Sequence, residues 1–146
     1  MKKFNSALPL AALAVFGFIP AAAAAHTLTL VERATSDAVT DTGAKDDSVG
    51  DILTFANDLY DKDNQTKAGS NNGYCFRTVA GKAWECAFTN MLAGGQINVA
   101  GPFIDGQDST MAIIGGTGRY HNAHGEMLLH ARDAKGTEYD FTFNIR

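Results

Sequence analysis

The nine residues before the C-terminal arginine, TEYDFTFNI, alternate without a break. Tyr139, Phe141, Phe143 and Ile145 fall on one side of an extended chain, and Glu138, Asp140, Thr142 and Asn144 on the other. A period of two is the signature of a strand with one buried face, and the chain repeats it. Runs of the same kind are HTLTLVER, DILTFANDLY, GYCFRTV, KAWECAFTN, GQINVAGPF, STMAIIG and GEMLLHAR, set apart by Gly, Asn and Asp. Helical periodicity is nearly absent. The long gap from Ala34 to Gly50 is polar and reads as a loop with room for a helical turn. Eight successive strands with turns as short as AGG and DAKG predict an all-β, eight-stranded antiparallel up-and-down barrel, which removes its sheet edges by closing on itself. A two-sheet sandwich is the alternative arrangement.

The barrel is expected to occupy residues 26–146 as one domain. Before it, Lys2 and Lys3 precede an apolar run from about Ala7 to Ile19 and then PAAAAAH. A basic start, an apolar stretch too short to span a bilayer and small residues at its end predict a secretory signal peptide over residues 1–25. Cleavage after Ala25 would leave His26 first, in a secreted or periplasmic protein with no membrane association. Without its two lysines the chain carries ten basic against sixteen acidic residues. That balance argues against nucleic acid, whose binders present a basic face.

An oxidising compartment also decides how the cysteines are read. Cys75 and Cys86 lie in GYCFRTVAGKAWECAF, and a turn at Ala80-Gly81 sets them opposite each other on two antiparallel strands. A disulfide is the expected state and two free thiols the alternative. That turn would place the cysteines at a hydrogen-bonded position of the ladder, the wider kind of pair.

Two polar residues interrupt apolar faces. Glu32 shares a side with Leu28 and Leu30, and Asn57 shares one with Leu53, Phe55 and Leu59. An unpaired carboxylate in an apolar interior costs several kcal/mol or takes up a proton, so its presence there points to a use. A wet barrel mouth or a nearby cation, such as Arg33 or Arg77, would explain Glu32 without one.

The glycine-rich stretch IIGGTGRYHNAHGEM fits no ligand motif. GGTGRY lacks the Lys-Ser/Thr ending of a phosphate loop and is followed by a strand, and no βαβ unit surrounds it. His121 and His124 are three apart, and His130 lies in the next strand, so the alternation gives no common ligand face. His26 at a new N-terminus would offer an amine and a ring to copper, with no partner histidine indicated. DKDNQTKAGSNN resembles a calcium loop but lacks its glycine and closing glutamate. No GxSxG is present. No metal and no cofactor are expected. Gly115, Gly116 and Gly118 read as a turn, and Gly125 as a bend or bulge.

Read in order, GDILTFANDLYD, GYC, GQINVAGPF and MAIIGGTGRYHNAHGEMLLHA closely resemble segments of the plant allene oxide cyclases, over about Leu28 to Ile145. GGTGRYHNAHG is also similar to a segment of the dirigent proteins. The closest resemblance is to the secreted bacterial allene oxide cyclase barrel-like proteins. It implies a lipocalin-like, eight-stranded barrel with a hydrophobic cavity, in a homo-oligomer such as the trimer of the plant enzymes. In those enzymes a first-strand glutamate assists epoxide opening and a second-strand asparagine helps hold a water. Glu32 and Asn57 match these positions, and Cys75 matches a cysteine lining the cavity. A second water-holding asparagine, two residues after the glutamate, is replaced here by Ala34. No Ser-Pro occurs between Ala34 and Gly50.

The expected ligand is a hydrophobic small molecule. Glu32 and Asn57 are the candidate catalytic residues, and Phe55, Tyr74, Phe141 and Phe143 the candidate substrate contacts. One reading is a cofactor-free cyclase or isomerase that holds a flexible substrate in a reactive shape. The others are a lipid-like carrier or dirigent-type scaffold, and a barrel filled by its own aromatics with a structural role.

Overall fold

The computed structural model describes residues 25–146. The predicted signal peptide lies, but for Ala25, outside the described residues. Nine strands follow in order: β1 (His26–Arg33), β2 (Ala38–Thr40), β3 (Ile52–Asp61), β4 (Lys67–Val79), β5 (Ala83–Leu92), β6 (Gly95–Ile104), β7 (Ser109–Gly116), β8 (Gly125–Ala131) and β9 (Glu138–Ile145). One turn of 3₁₀ helix, Gly118–Tyr120, sits between β7 and β8.

From β3 to β9 each strand pairs antiparallel with the next, β9 pairs with β1, and β1 pairs with β3. The sheet therefore closes as an eight-stranded antiparallel up-and-down barrel, as the alternation predicts, and not as a sandwich. The short β2 is the ninth strand, inside the segment expected to be a loop. It pairs with the same edge of β3 as β1 does. β1 covers Asp58 to Asp61, and β2 covers Ile52 to Thr54. Together they are one interrupted strand, in which residues 34–37 bulge opposite residues 55–57.

β4 starts at Lys67, earlier than the GYCFRTV run suggested, so the stretch compared with a calcium loop is largely strand. Its turn to β5 takes three residues, and the register shifts between Arg77 and Val79. The shift keeps Cys75 opposite Cys86, which form a disulfide with Cα atoms 4.0 Å apart. That is the close pair of an antiparallel ladder, so the expected hydrogen-bonded position is corrected by the bulge.

The inward faces are those the alternation assigns. Leu30, Leu59, Ile97, Val99, Met127, Phe141 and Phe143 are buried. Ile97, Met127 and Phe143 fill the end of the barrel that the 3₁₀ turn covers. There Gly118, at φ 58°, makes the turn, and a side chain at that position would strike the backbone of Gly94. Gly125 lets β8 pass close to the backbone of Asn144, which leaves no space for a Cβ. The glycine-rich stretch is a structural corner.

At the other end Arg77 points inward and is nearly buried. Its guanidinium stacks on Trp84 at 4.0 Å and bonds Asp47 and Asp105, each at 2.6 Å. It thereby ties the 41–50 segment to the β6–β7 turn. Asp47 also accepts from the backbone of Gly81.

Candidate active site

Closing the barrel brings β1, β3, β4 and the 34–37 bulge together around Glu32. The glutamate is 5% exposed, and among the described residues no cation forms an ion pair with it. Its Oε1 accepts from Asn71 Nδ2 at 2.6 Å and from Asn57 Nδ2 at 3.1 Å. Neutral amides soften the loss of water but supply no opposite charge. Burial therefore dominates and pushes the carboxyl up from 4.5 to about 7. The two amide bonds pull it back, and the charge of Asp37 adds to the rise.

Asn57 is the junction of the site. Its amide hydrogens go to Glu32 and, at 2.8 Å, to Asp37 Oδ1. Its Oδ1 accepts from the backbone of Thr35 and Ser36, each at 3.0 Å, and from Ser36 Oγ at 2.9 Å. Ser36 Oγ also exchanges hydrogen bonds with the backbone of Ala56. These two side chains satisfy the backbone groups that the bulge leaves without ladder partners. All of Asn57's donors and acceptors are taken by protein groups, so its role differs from holding a water. It holds two carboxyl groups and the bulge.

Asn71 was not among the residues singled out from the sequence. It stands level with Asn57 in the sheet, and its Oδ1 accepts from the Asn57 backbone. The signal was present. Counting back by twos from Cys75 puts Gly73 and Asn71 on the inward face. The polar, turn-like composition of KAGSNN concealed it.

Glu32 and Asp37 border a cavity of about 70 Å³, with Phe55, Phe88, Phe141 and the disulfide among its walls. That is room for a few waters or one small group, below the several hundred Å³ of drug-sized sites. Phe55, Phe88 and Phe141 form an aromatic chain with centroids 5.5 and 5.6 Å apart. Phe103 and Tyr139, edge to face at 6.0 Å, line this cavity and also a broader groove of about 540 Å³ between the β6–β7 and β8–β9 turns. Burial, with the charges of Asp37 and Glu32, pushes the Tyr139 phenol up to about 12, so it remains a donor at neutral pH.

Two expected contacts are corrected. Tyr74 lies on the outer wall, 48% exposed and packed on Phe76, because it stands one position from inward Cys75 and three from inward Asn71. Phe143 points inward but belongs to the filled end and does not line the cavity. Phe55 and Phe141 do line it. The histidines are dispersed: His130 pairs with Asp108, while His121 and His124 contact nearby backbone carbonyls.

A closed antiparallel barrel, with a shielded carboxyl at the base of an apolar cavity, defines a cavity-bearing eight-stranded β-barrel protein. The chain belongs to the allene oxide cyclase family, whose model matches residues 27–141. Among solved structures it is similar to a pyocyanin demethylase, with 30% identity and a TM-score of 0.68 over 80% of this chain and 98% of that one. A pterocarpan synthase dirigent protein shares the fold at 15% identity and TM-score 0.68, over 84% of this chain and 97% of the other. An exo-specific intermolecular Diels-Alderase shares it at 12% identity and TM-score 0.64, over 84% and 98%.

Proposed function

We propose that the protein binds a small hydrophobic molecule at the barrel mouth and acts on it as a cofactor-free isomerase or cyclase. The observation that carries this reading is Glu32: a carboxyl in an apolar interior, held by two amides with no cation paired to it among the described residues, beside an open cavity. A carboxyl pushed to about 7 can donate or accept a proton near neutral pH, as general acid–base catalysis requires. Phe55 and Phe141 would hold the part of the ligand that enters, and Phe103 and Tyr139 the part that remains in the groove. The chain's similarity to a demethylase and a Diels-Alderase supports small-molecule chemistry in such a barrel.

The cavity's small volume favours a second reading, in which the barrel grips only one end of its ligand as a carrier or dirigent-type scaffold and does no chemistry. The disulfide suits a secreted or periplasmic protein. The outward pair Tyr74 and Phe76 supports a homo-oligomer assembled through that wall.

Native mass spectrometry of protein recovered from the cells that make it tests the binding reading. A retained small hydrophobic molecule is the expected result. A bare mass, together with no binding of the hydrophobic dye 1-anilinonaphthalene-8-sulfonate, would sink it. Given a ligand, loss of turnover but not of binding in Glu32→Gln separates enzyme from carrier.

A further inference from the structure

The 34–37 bulge carries one side chain to the cavity, and neither the sequence pattern nor the family resemblance singles it out. Asp37 Oδ1 receives one hydrogen of the Asn57 amide while Glu32 Oε1 receives the other. Both carboxyl groups border the same cavity. Their surroundings differ: Glu32 is buried among strands, whereas Asp37 sits on an exposed segment at the rim. Two carboxyl groups placed in unlike environments beside one space take unlike protonation states, the arrangement that divides acid from base.

We propose that Asp37 is the catalytic base of the site and Glu32 its acid, acting together on carbon acids whose C–H lies near an oxygen that gains charge. Asp37 takes the proton from carbon. The C–H electron pair moves through the substrate to the oxygen, and Glu32 delivers its proton there. Asn57 fixes the pair by holding one oxygen of each. For an isomerisation, the proton on Asp37 returns to another carbon and Glu32 recovers its own, so no redox partner enters. The proposal rests on the barrel mouth being a small-molecule site, and it assigns the chemistry and the second carboxylate.

The raised pKa of Glu32 supports its part as the acid, because a carboxyl pushed to about 7 keeps its proton close to neutral pH. The groups facing Glu32 are Asp37 from the bulge, Tyr139 from β9, and the uncharged Asn57 and Asn71 from β3 and β4. Tyr139 does not titrate in the range of interest, so a transition near 7 in turnover would report Glu32.

The test uses 5-nitrobenzisoxazole, a generic carbon acid. Asp37 removes its ring proton, a nitrile forms as the N–O bond breaks, Glu32 donates a hydrogen bond to the departing oxygen, and nitrophenoxide is released while Asp37 passes its proton to water. The product is coloured. The expected result is saturable turnover by the whole protein that declines as pH rises through about 7. Asp37→Asn should lower kcat at least about tenfold with KM changed less than about twofold, since the base is lost but the apolar walls remain. Glu32→Gln should remove the decline near pH 7. Absence of saturable turnover in the parent protein, or full turnover in Asp37→Asn, overturns the proposal. Binding of 1-anilinonaphthalene-8-sulfonate is measured in parallel. Dye binding without turnover refutes the acid–base pair alone, whereas loss of both refutes the small-molecule site as well.

Discussion

Asn71 on β4 donates to Glu32 on β1 at 2.6 Å, although β3 lies between the two strands in the sheet. The bond crosses the barrel interior and exists only because the sheet closes. It joins Glu32 to the residue that also receives the Asn57 backbone hydrogen. Removing the amide strands both partners in a buried setting, where each unmade bond costs about 1–3 kcal/mol. Asn71→Ala should therefore lower stability by about 2–4 kcal/mol in urea unfolding and raise the Glu32 pKa further by infrared titration. A loss below about 0.5 kcal/mol would show the bond to be incidental.

The stability of the fold should depend on pH through Glu32. Its folded pKa, about 7, exceeds the ordinary 4.5, so the folded protein binds the proton more tightly than the unfolded chain. That contribution is fully present below about 4.5, shrinks as pH rises, and is gone once pH has passed about 7. Its size is on the order of 3 kcal/mol. Glu32→Gln cannot ionise and should gain on the parent across this window, becoming the more stable of the two in relative terms above pH 7. Parallel stability curves for the two proteins between pH 4 and 8 would contradict a shielded carboxyl.

The Cys75–Cys86 bridge closes a short loop in a hairpin that already pairs well. The chain-entropy account gives about 3 kcal/mol at most. Reduction, or replacement of both cysteines by alanine, should lower the melting temperature while leaving the far-ultraviolet spectrum that of a barrel. Two thiols titrating in unfolded, unreduced protein would refute the bridge itself.

Arg77 holds the open end together through Asp47, Asp105 and Trp84. Because both aspartates are about a third exposed, solvent screens them, and the cost of Arg77→Met should be about 2 kcal/mol rather than the larger loss of a fully buried pair. Arg77→Lys should recover little, since an ammonium cannot fork to two carboxylates while stacking on an indole. Recovery of full stability by lysine, measured by thermal unfolding, would reduce the role of Arg77 to charge alone.

Period-two alternation in HTLTLVER and TEYDFTFNI determined which side chains face inward, and eight such runs with short turns determined a closed barrel. That information is local, because a pleated strand turns successive side chains to opposite faces whatever lies beside it. It placed Leu30, Glu32, Asn57 and Phe141 correctly. The cysteines could likewise be paired across their own hairpin. What surrounds Glu32 was not local. Asn71 lies in a segment whose glycines, serine and asparagines read as a loop, and it became a strand because long β3 and β5 on either side needed a partner. Asp37 reached the cavity because β1 and β2 share one edge of β3 with a bulge between them. Tyr74 showed the converse, since its aromatic character suggested the interior while its position on β4 put it outside. Which face a residue takes is set by its strand. Which residues meet inside is set by register and closure, and only the folded sheet decides those.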